Sequence, residues 1–252
     1  MSLKFKLLAV AILVNLALPN TGLADRRNFL WSYEAKTMAK GETELEQYFT
    51  TDVDKSETDT NYRLTHEHQI EVEYGITDNF DVGIYQIFRQ REGEGFSYRG
   101  YKTRGRYRFG EMGQYFVDPL IYLEFTHKPT GHEVEFEEKI VLAKSIERLR
   151  LAFNMSFEQE LKYKTNETLH ILEPSFASGI QITRWFLAGI EMVGSWRIDS
   201  PGGFHHGAFF AGPTLSFVGQ TLWFDMGALF QLSDAYNHQP RYRIRTLLGL
   251  HF

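Results

Sequence analysis

The chain has 252 residues, a formal net charge of −5, no cysteine and 15% aromatic residues. The missing thiols exclude a disulfide framework and thiolate metal sites, and the acidic balance argues against a nucleic-acid partner. Beyond the first two dozen residues there is no run of 18 apolar residues, so no helix is expected to cross a bilayer.

Met1-Ser-Leu-Lys-Phe-Lys6 is short and basic, Leu7 to Pro19 is apolar, and Thr21-Gly-Leu-Ala24 supplies small residues. That order is a secretory signal, cleaved after Ala24 and too short for a stable membrane anchor. Residues 1–24 are therefore expected as a removed leader, which takes Lys4 and Lys6 with it and leaves a more acidic mature chain.

From residue 41 onward, twelve alternating segments follow, near 41–51, 62–75, 80–90, 96–109, 117–127, 132–144, 149–163, 168–181, 184–196, 205–217, 220–232 and 241–252. Each reaches the ~9–11 residues that a tilted strand needs to cross hydrocarbon. In the seventh, Leu149, Leu151, Phe153, Met155 and Phe157 share one face, opposite Arg150, Asn154, Ser156, Glu158 and Glu160. In the last, Tyr242, Ile244, Thr246, Leu248, Leu250 and Phe252 oppose Arg241, Arg243 and Arg245. Strand side chains alternate between faces, and a face suited to lipid backed by charge is the pattern of a membrane barrel. The expected fold is all-β: a closed, antiparallel, up-and-down transmembrane β-barrel of about 12 strands.

The connections alternate too. Ile76-Thr-Asp-Asn79, Ser145-Ile-Glu-Arg148, Thr183-Arg184 and Gly219-Gln220 are tight, whereas Asp52 to Asn61, Gln90 to Gly95, Ile198 to Phe204 and Ser233 to Pro240 are longer and polar. Short turns on one side and longer loops on the other suit the periplasmic and outer ends of such a barrel. The turn Gly110-Glu-Met-Gly-Gln-Tyr115 is long for that scheme, and the connections after the fifth and seventh segments are short. Pro119, Pro174 and Pro213 fall inside segments, where they are expected to mark bulges or misplaced ends.

With its leader, even strand count and terminal Phe252, the mature chain resembles the Gram-negative outer-membrane β-barrels. Tyr74-Gly-Ile-Thr-Asp-Asn-Phe-Asp-Val-Gly-Ile-Tyr85 is similar to hairpins of porin-like and transporter-like barrels, and Phe29 to Gly41 looks like the start of uncharacterised exported barrels. The resemblance implies residence in the outer membrane, with lipid and lipopolysaccharide as surroundings. It also implies that Phe252 is the assembly signal read by the barrel-insertion machinery. Residues 25–40 are expected as a periplasmic segment and 41–252 as the barrel.

The inward faces are charged, with signs grouped by strand. Lys102, Arg104, Arg106 and Arg108 lie on one segment and Arg241, Arg243 and Arg245 on the last. Acids line three others: Glu42, Glu44 and Glu46; Glu67, Glu71 and Glu73; Glu133, Glu135 and Glu137. Closure sets the last segment beside the first, so arginine and glutamate ladders are expected to pair across that seam. Charged rings select ions at a constriction, so one reading is a narrow porin-like channel for small polar or charged solutes. The other is a non-conducting structural or adhesion barrel whose lumen is filled by salt bridges.

An enzyme needs at least a nucleophile and its base. Some twelve-stranded outer-membrane barrels are lipid hydrolases, and outer-membrane phospholipase A places His and Ser two apart on one strand. None of the nine histidines here is followed two residues later by Ser. Rim pairs as in outer-membrane proteases remain conceivable for Asp199 with His205 and Asp234 with His238. No catalytic site and no cofactor is assigned. Eight histidines fall toward the outer end and His251 toward the other; His205 and His206 are weak metal candidates. Asp52 to Asp59 is acidic but lacks the central Gly and final Glu of a calcium loop, and reads as solvated surface.

Overall fold

The computed structural model describes residues 27–55, 62–199, 203–233 and 239–252, without the side chains of Lys55, Tyr62, Asp199 and residues 203–206. The expected leader lies outside the described residues. Twelve strands follow one another: β1 (Thr43–Lys55), β2 (Tyr62–Thr77), β3 (Phe80–Arg91), β4 (Ser97–Arg108), β5 (Asp118–Lys128), β6 (Glu133–Ile146), β7 (Leu149–Lys162), β8 (Glu167–Thr183), β9 (Phe186–Asp199), β10 (Gly203–Val218), β11 (Leu222–Gln231) and β12 (Tyr242–His251). Each expected segment matches one of them, with ends within four residues. Every strand pairs antiparallel with its sequence neighbours, and β1 pairs with β12, from Glu44↔His251 to Val53↔Tyr242. The sheet closes and leaves no edge.

Alternation decides which side chains face where. On β5, Leu120, Tyr122, Glu124 and Thr126 are buried, while Ile121 and Leu123 are exposed. The outward row continues through Ile140, Phe153, Phe176, Ile190, Met226 and Ile244, an apolar belt suited to lipid. Aromatic rings gather toward the strand ends. Trp185, Phe186 and Phe217 stack beside the short turns. Near the longer loops Phe49 meets His66 and His68, Tyr101 meets His127 and Phe157 meets His170. These histidines are half-polar members of an aromatic girdle.

Pro119 is the second residue of β5, but Pro174 and Pro213 sit inside unbroken strands, contrary to the expected bulges. Pairing skips from Leu172 to Ser175 on β8 and from Ala211 to Thr214 on β10, with the register kept on both sides. A proline costs the ladder one N–H, which this sheet absorbs as a missing rung. The shifts lie elsewhere, at Gly75/Thr77, Ile87/Phe88, Gln181/Thr183 and His205/Gly207.

The larger correction concerns residues 25–40. The described part, from Arg27, is no periplasmic tail: it lies inside the barrel. Phe29, Leu30 and Met38 are wholly buried, as is Ser32 to within 1%. Phe29 packs on Ala152, Ala177 and Leu187; Leu30 joins Tyr48, Tyr85, Trp223 and Leu247; Tyr33 and Ala35 join Leu120, Tyr122, Val141 and Ala143. The hydrophobic core is thus built between the wall and this lumen segment. At Gly227 a Cβ would fall 2.7 Å from Leu30 Cδ1, so glycine there makes room for the segment. Gly41, at φ +83°, then turns the chain into β1, with its N–H on Gly75 O at 2.9 Å.

Phe176, at the centre of β8 and pointing outward between Phe153 and Met192, tests the belt. Phe176→Arg is expected to cost ~2–4 kcal/mol in urea unfolding from lipid vesicles, and Phe176→Leu far less.

Candidate functional site: the occupied lumen

The lumen segment is held chiefly by polar clamps. Glu191 on β9, fully buried, accepts the backbone N–H groups of Leu30, Trp31 and Ser32 at 2.7, 2.8 and 2.9 Å. Asn154 on β7 grips Tyr33 twice, accepting its N–H at 2.6 Å and donating to its C=O at 2.9 Å. Asp81 accepts the N–H of Met38 and Asp78 that of Lys40. A segment without secondary structure must find partners for its buried backbone groups, and the wall supplies them as carboxylates and an amide. Arg27 donates to Tyr48 Oη at 2.9 Å and lies 4.0 Å over the Tyr33 ring.

A buried ion cluster stiffens the wall behind this segment. Arg104 donates from Nε to Glu71 at 2.8 Å, from Nη1 to Asp81 at 2.7 Å, and from Nη2 to Glu73. Arg106 donates to Asp81 through Nε at 2.9 Å and through Nη2 at 2.8 Å, and to Glu73 at 2.9 Å. Reaching from β4 over β3 to β2 requires a gap, which Gly83 provides: a Cβ there would lie 3.0 Å from Arg104 Nε.

Seam pairing takes a different form from that expected. Antiparallel register sets Arg245 beside Thr50 and Arg243 beside Asp52, whereas Glu46 and Glu44 face Gly249 and His251. The arginines open β12 and the glutamates open β1, so the two ladders occupy opposite ends of the seam. Glu44 instead accepts from Trp223 Nε1 at 2.6 Å, and Glu46 lies 2.5 Å from Tyr48 Oη. Arg245 donates to Thr50 Oγ1 at 2.9 Å and to Leu30 O at 3.0 Å; Arg243 donates to Gln239 at 2.8 Å and lies 3.7 Å from Asp52.

The remaining charges divide between wall and rims. Lys102 pairs with Glu124 at 2.9 Å and Lys139 with Glu137 at 3.0 Å, while Lys128 pairs with both Glu133 and Glu135. Arg108 binds the short-turn rim through Gly110 O and Asp78 O. Arg241 sits at the loop rim, its N–H on Val53 O at 2.9 Å. Phe252 follows β12, with its N–H on Thr43 O, and is 68% exposed. The side chains of His205 and His206 lie outside the described residues, as do both proposed Asp–His rim pairs. Among the described residues, the groups that bring three carboxylates or imidazoles close together contain only glutamates: Glu46, Glu71 and Glu73, and Glu133, Glu135 and Glu160. In the first of these, Arg104 already bridges Glu71 and Glu73.

Over the lumen segment lies a cavity of about 220 Å³, floored by Trp31 and Tyr33 and walled by Tyr85, Tyr122, Glu158, Glu173, Arg243 and Arg245 among others. A second, of about 160 Å³, shares Arg243 and Arg245 and runs on past Asp52, Glu67 and Arg89. Together they form a vestibule on the loop side of the segment.

Sequence reasoning missed the lumen segment and its clamps, Glu191 and Asp81. A signal existed: Phe29, Leu30, Trp31, Tyr33 and Met38 are too apolar for a solvated tail. Glu191 carried none, since a single acid on an inward face looks the same whether it meets water or backbone.

Residues 21–114 match a family of unknown function (DUF6662), a stretch that includes the lumen segment and β1 to β4. No curated protein matches. Among solved structures, the COG4313 outer membrane channel from Pseudomonas putida F1 aligns with a TM-score of 0.67 at 8% identity, over 89% of this chain and 100% of that one. The KdgM porin in complex with disordered oligogalacturonate aligns at 0.53 and 8% identity, over 82% and 99%. The translocator domain of the autotransporter NalP from Neisseria meningitidis aligns at 0.53 and 8%, over 99% and 95%. The fold is that of the outer-membrane β-barrels. At such identities the likeness is one of architecture.

Asp81 serves both Arg104 and Arg106 and also holds the lumen segment at Met38. Asp81→Ala is expected to destabilise the barrel by ~3–5 kcal/mol in urea unfolding, because it strands buried guanidinium charge. Limited proteolysis of the same variant should cut the segment near Met38 earlier than in the parent.

Proposed function

We propose that this protein is an outer-membrane channel for small polar or charged solutes, closed at rest by its own N-terminal segment. The observation that carries the reading is the triple grip of Glu191 on Leu30, Trp31 and Ser32. The fold supports the outer-membrane setting, with the short turns and both barrel ends toward the periplasm. The charged vestibule above the segment supports passage of polar solutes, since lumen charges tune selectivity in such barrels. A buried backbone segment held mostly by side-chain acceptors has a discrete alternative, release into water, where every N–H finds a partner. That makes the segment a gate, in which few clamps decide between two states.

A static barrel is the second reading, favoured by the Arg104–Arg106 cluster, which fills part of the wall with matched charge. Planar-bilayer recordings separate the two. The parent is expected to conduct weakly, and a Glu191→Ala/Asn154→Ala variant to conduct several-fold more. Equal conductance in a variant whose segment has become protease-accessible would refute the gate. In the opened variant, Arg243→Gln/Arg245→Gln should move the reversal potential toward cation selectivity. An unchanged potential would remove those arginines from the solute path.

A further inference from the structure

The vestibule is electrically two-sided. In a ring of twelve strands β12 stands opposite β6, with β7 and β8 next to β6. On the β6–β8 side, Glu137 faces Glu158 and Glu135 faces Glu160 directly across the β6–β7 ladder, and Glu173 lies diagonally from Glu158. Like charges set opposite one another destabilise a sheet. Lys139 and Lys128 answer Glu137 and Glu135, but among the described residues no cation pairs with Glu158 or Glu173. On the β12 side, among the described residues, Arg245 is bonded only to neutral oxygens, of Thr50 and Leu30. Arg243 has a buried Nε that finds no hydrogen-bond partner among the described residues, 3.7 Å from Asp52. Both walls border the same cavity of about 220 Å³.

Unmatched acids on one wall and under-used guanidinium donors on the other are complementary to a solute that carries both charges at its two ends. A simple cation or anion would satisfy one wall and be repelled by the other. An α-amino acid holds both charges on one carbon and cannot address opposite walls. The volume is below the ~300–1,000 Å³ of drug-sized pockets, so the solute is short. We propose that the vestibule is a binding site for a short linear zwitterion of di- or tripeptide size. Its ammonium lies between Glu158 and Glu173, its carboxylate on Arg243 and Arg245, and its body over Trp31 and Tyr33. Arginine suits the carboxylate end because its fork can bind both oxygens. The inference rests on reading the vestibule as the solute path.

The probe is trialanine, titrated into the refolded full-length mature protein in detergent micelles. Tryptophan fluorescence reports binding, and Trp31→Phe assigns the signal. Trialanine is expected to bind, and N-acetyl-trialanine and trialanine amide at least tenfold more weakly. Glu158→Gln/Glu173→Gln should weaken trialanine at least tenfold and leave N-acetyl-trialanine unchanged. Arg243→Gln/Arg245→Gln should do the same for trialanine and leave the amide unchanged. Equal binding of free and capped peptides, or no trialanine signal in folded protein, would overturn the proposal. Conductance of the Glu191→Ala/Asn154→Ala variant is read separately. Opening without peptide discrimination refutes the zwitterion site alone; discrimination without opening refutes the gate alone.

Discussion

Closure of the sheet on itself governs everything else in this molecule. A strand in hydrocarbon must bond both neighbours, and the β1–β12 pair completes that requirement. Once the ring is closed, alternation leaves each residue only lipid or lumen. Charges excluded from the lipid side therefore crowd a narrow interior, where each must find a counter-charge, a dipole or water. The interior solves this in three ways along its length: matched ions between β2, β3 and β4, a folded-in segment of the chain, and an open vestibule.

The lumen segment is the least obvious of these. Ordering each backbone residue costs about 1–2 kcal/mol, and a hydrogen bond to a charged group returns about 1.5–3. Apolar burial of Phe29, Leu30 and Met38 helps, but Glu191, Asn154 and Asp81 decide the segment's path. Glu191 accepts three N–H groups and lies far in sequence from the residues it holds. Such a contact is made or lost as a unit, which suits an element with two positions.

Charge is distributed with a direction. Arg104 and Arg106 are bound on several sides and buried in the wall. Arg243 and Arg245, on the same inward face by sequence, are bound more loosely and border open volume. The difference comes from register. Arg104 meets acids across Gly83, whereas the arginines of β12 meet Thr50 and Asp52 because the glutamates of β1 lie at its other end.

The sequence by itself determined the barrel, its strand count and the alternation of inward and outward faces along its strands. A period of two is a local property of the chain, and lipid penalises every slip by one. Strand ends were legible to within a few residues for the same reason. The interior was not. Which inward charges meet depends on register, tilt and missing side chains such as Gly83, none of which alternation encodes. The path of residues 27–40 depended on acceptors at Asp81, Asn154 and Glu191, contributed by three separate strands. Only the closed tertiary structure brings those acceptors around one axis, where their buried oxygens need donors that the segment's backbone supplies.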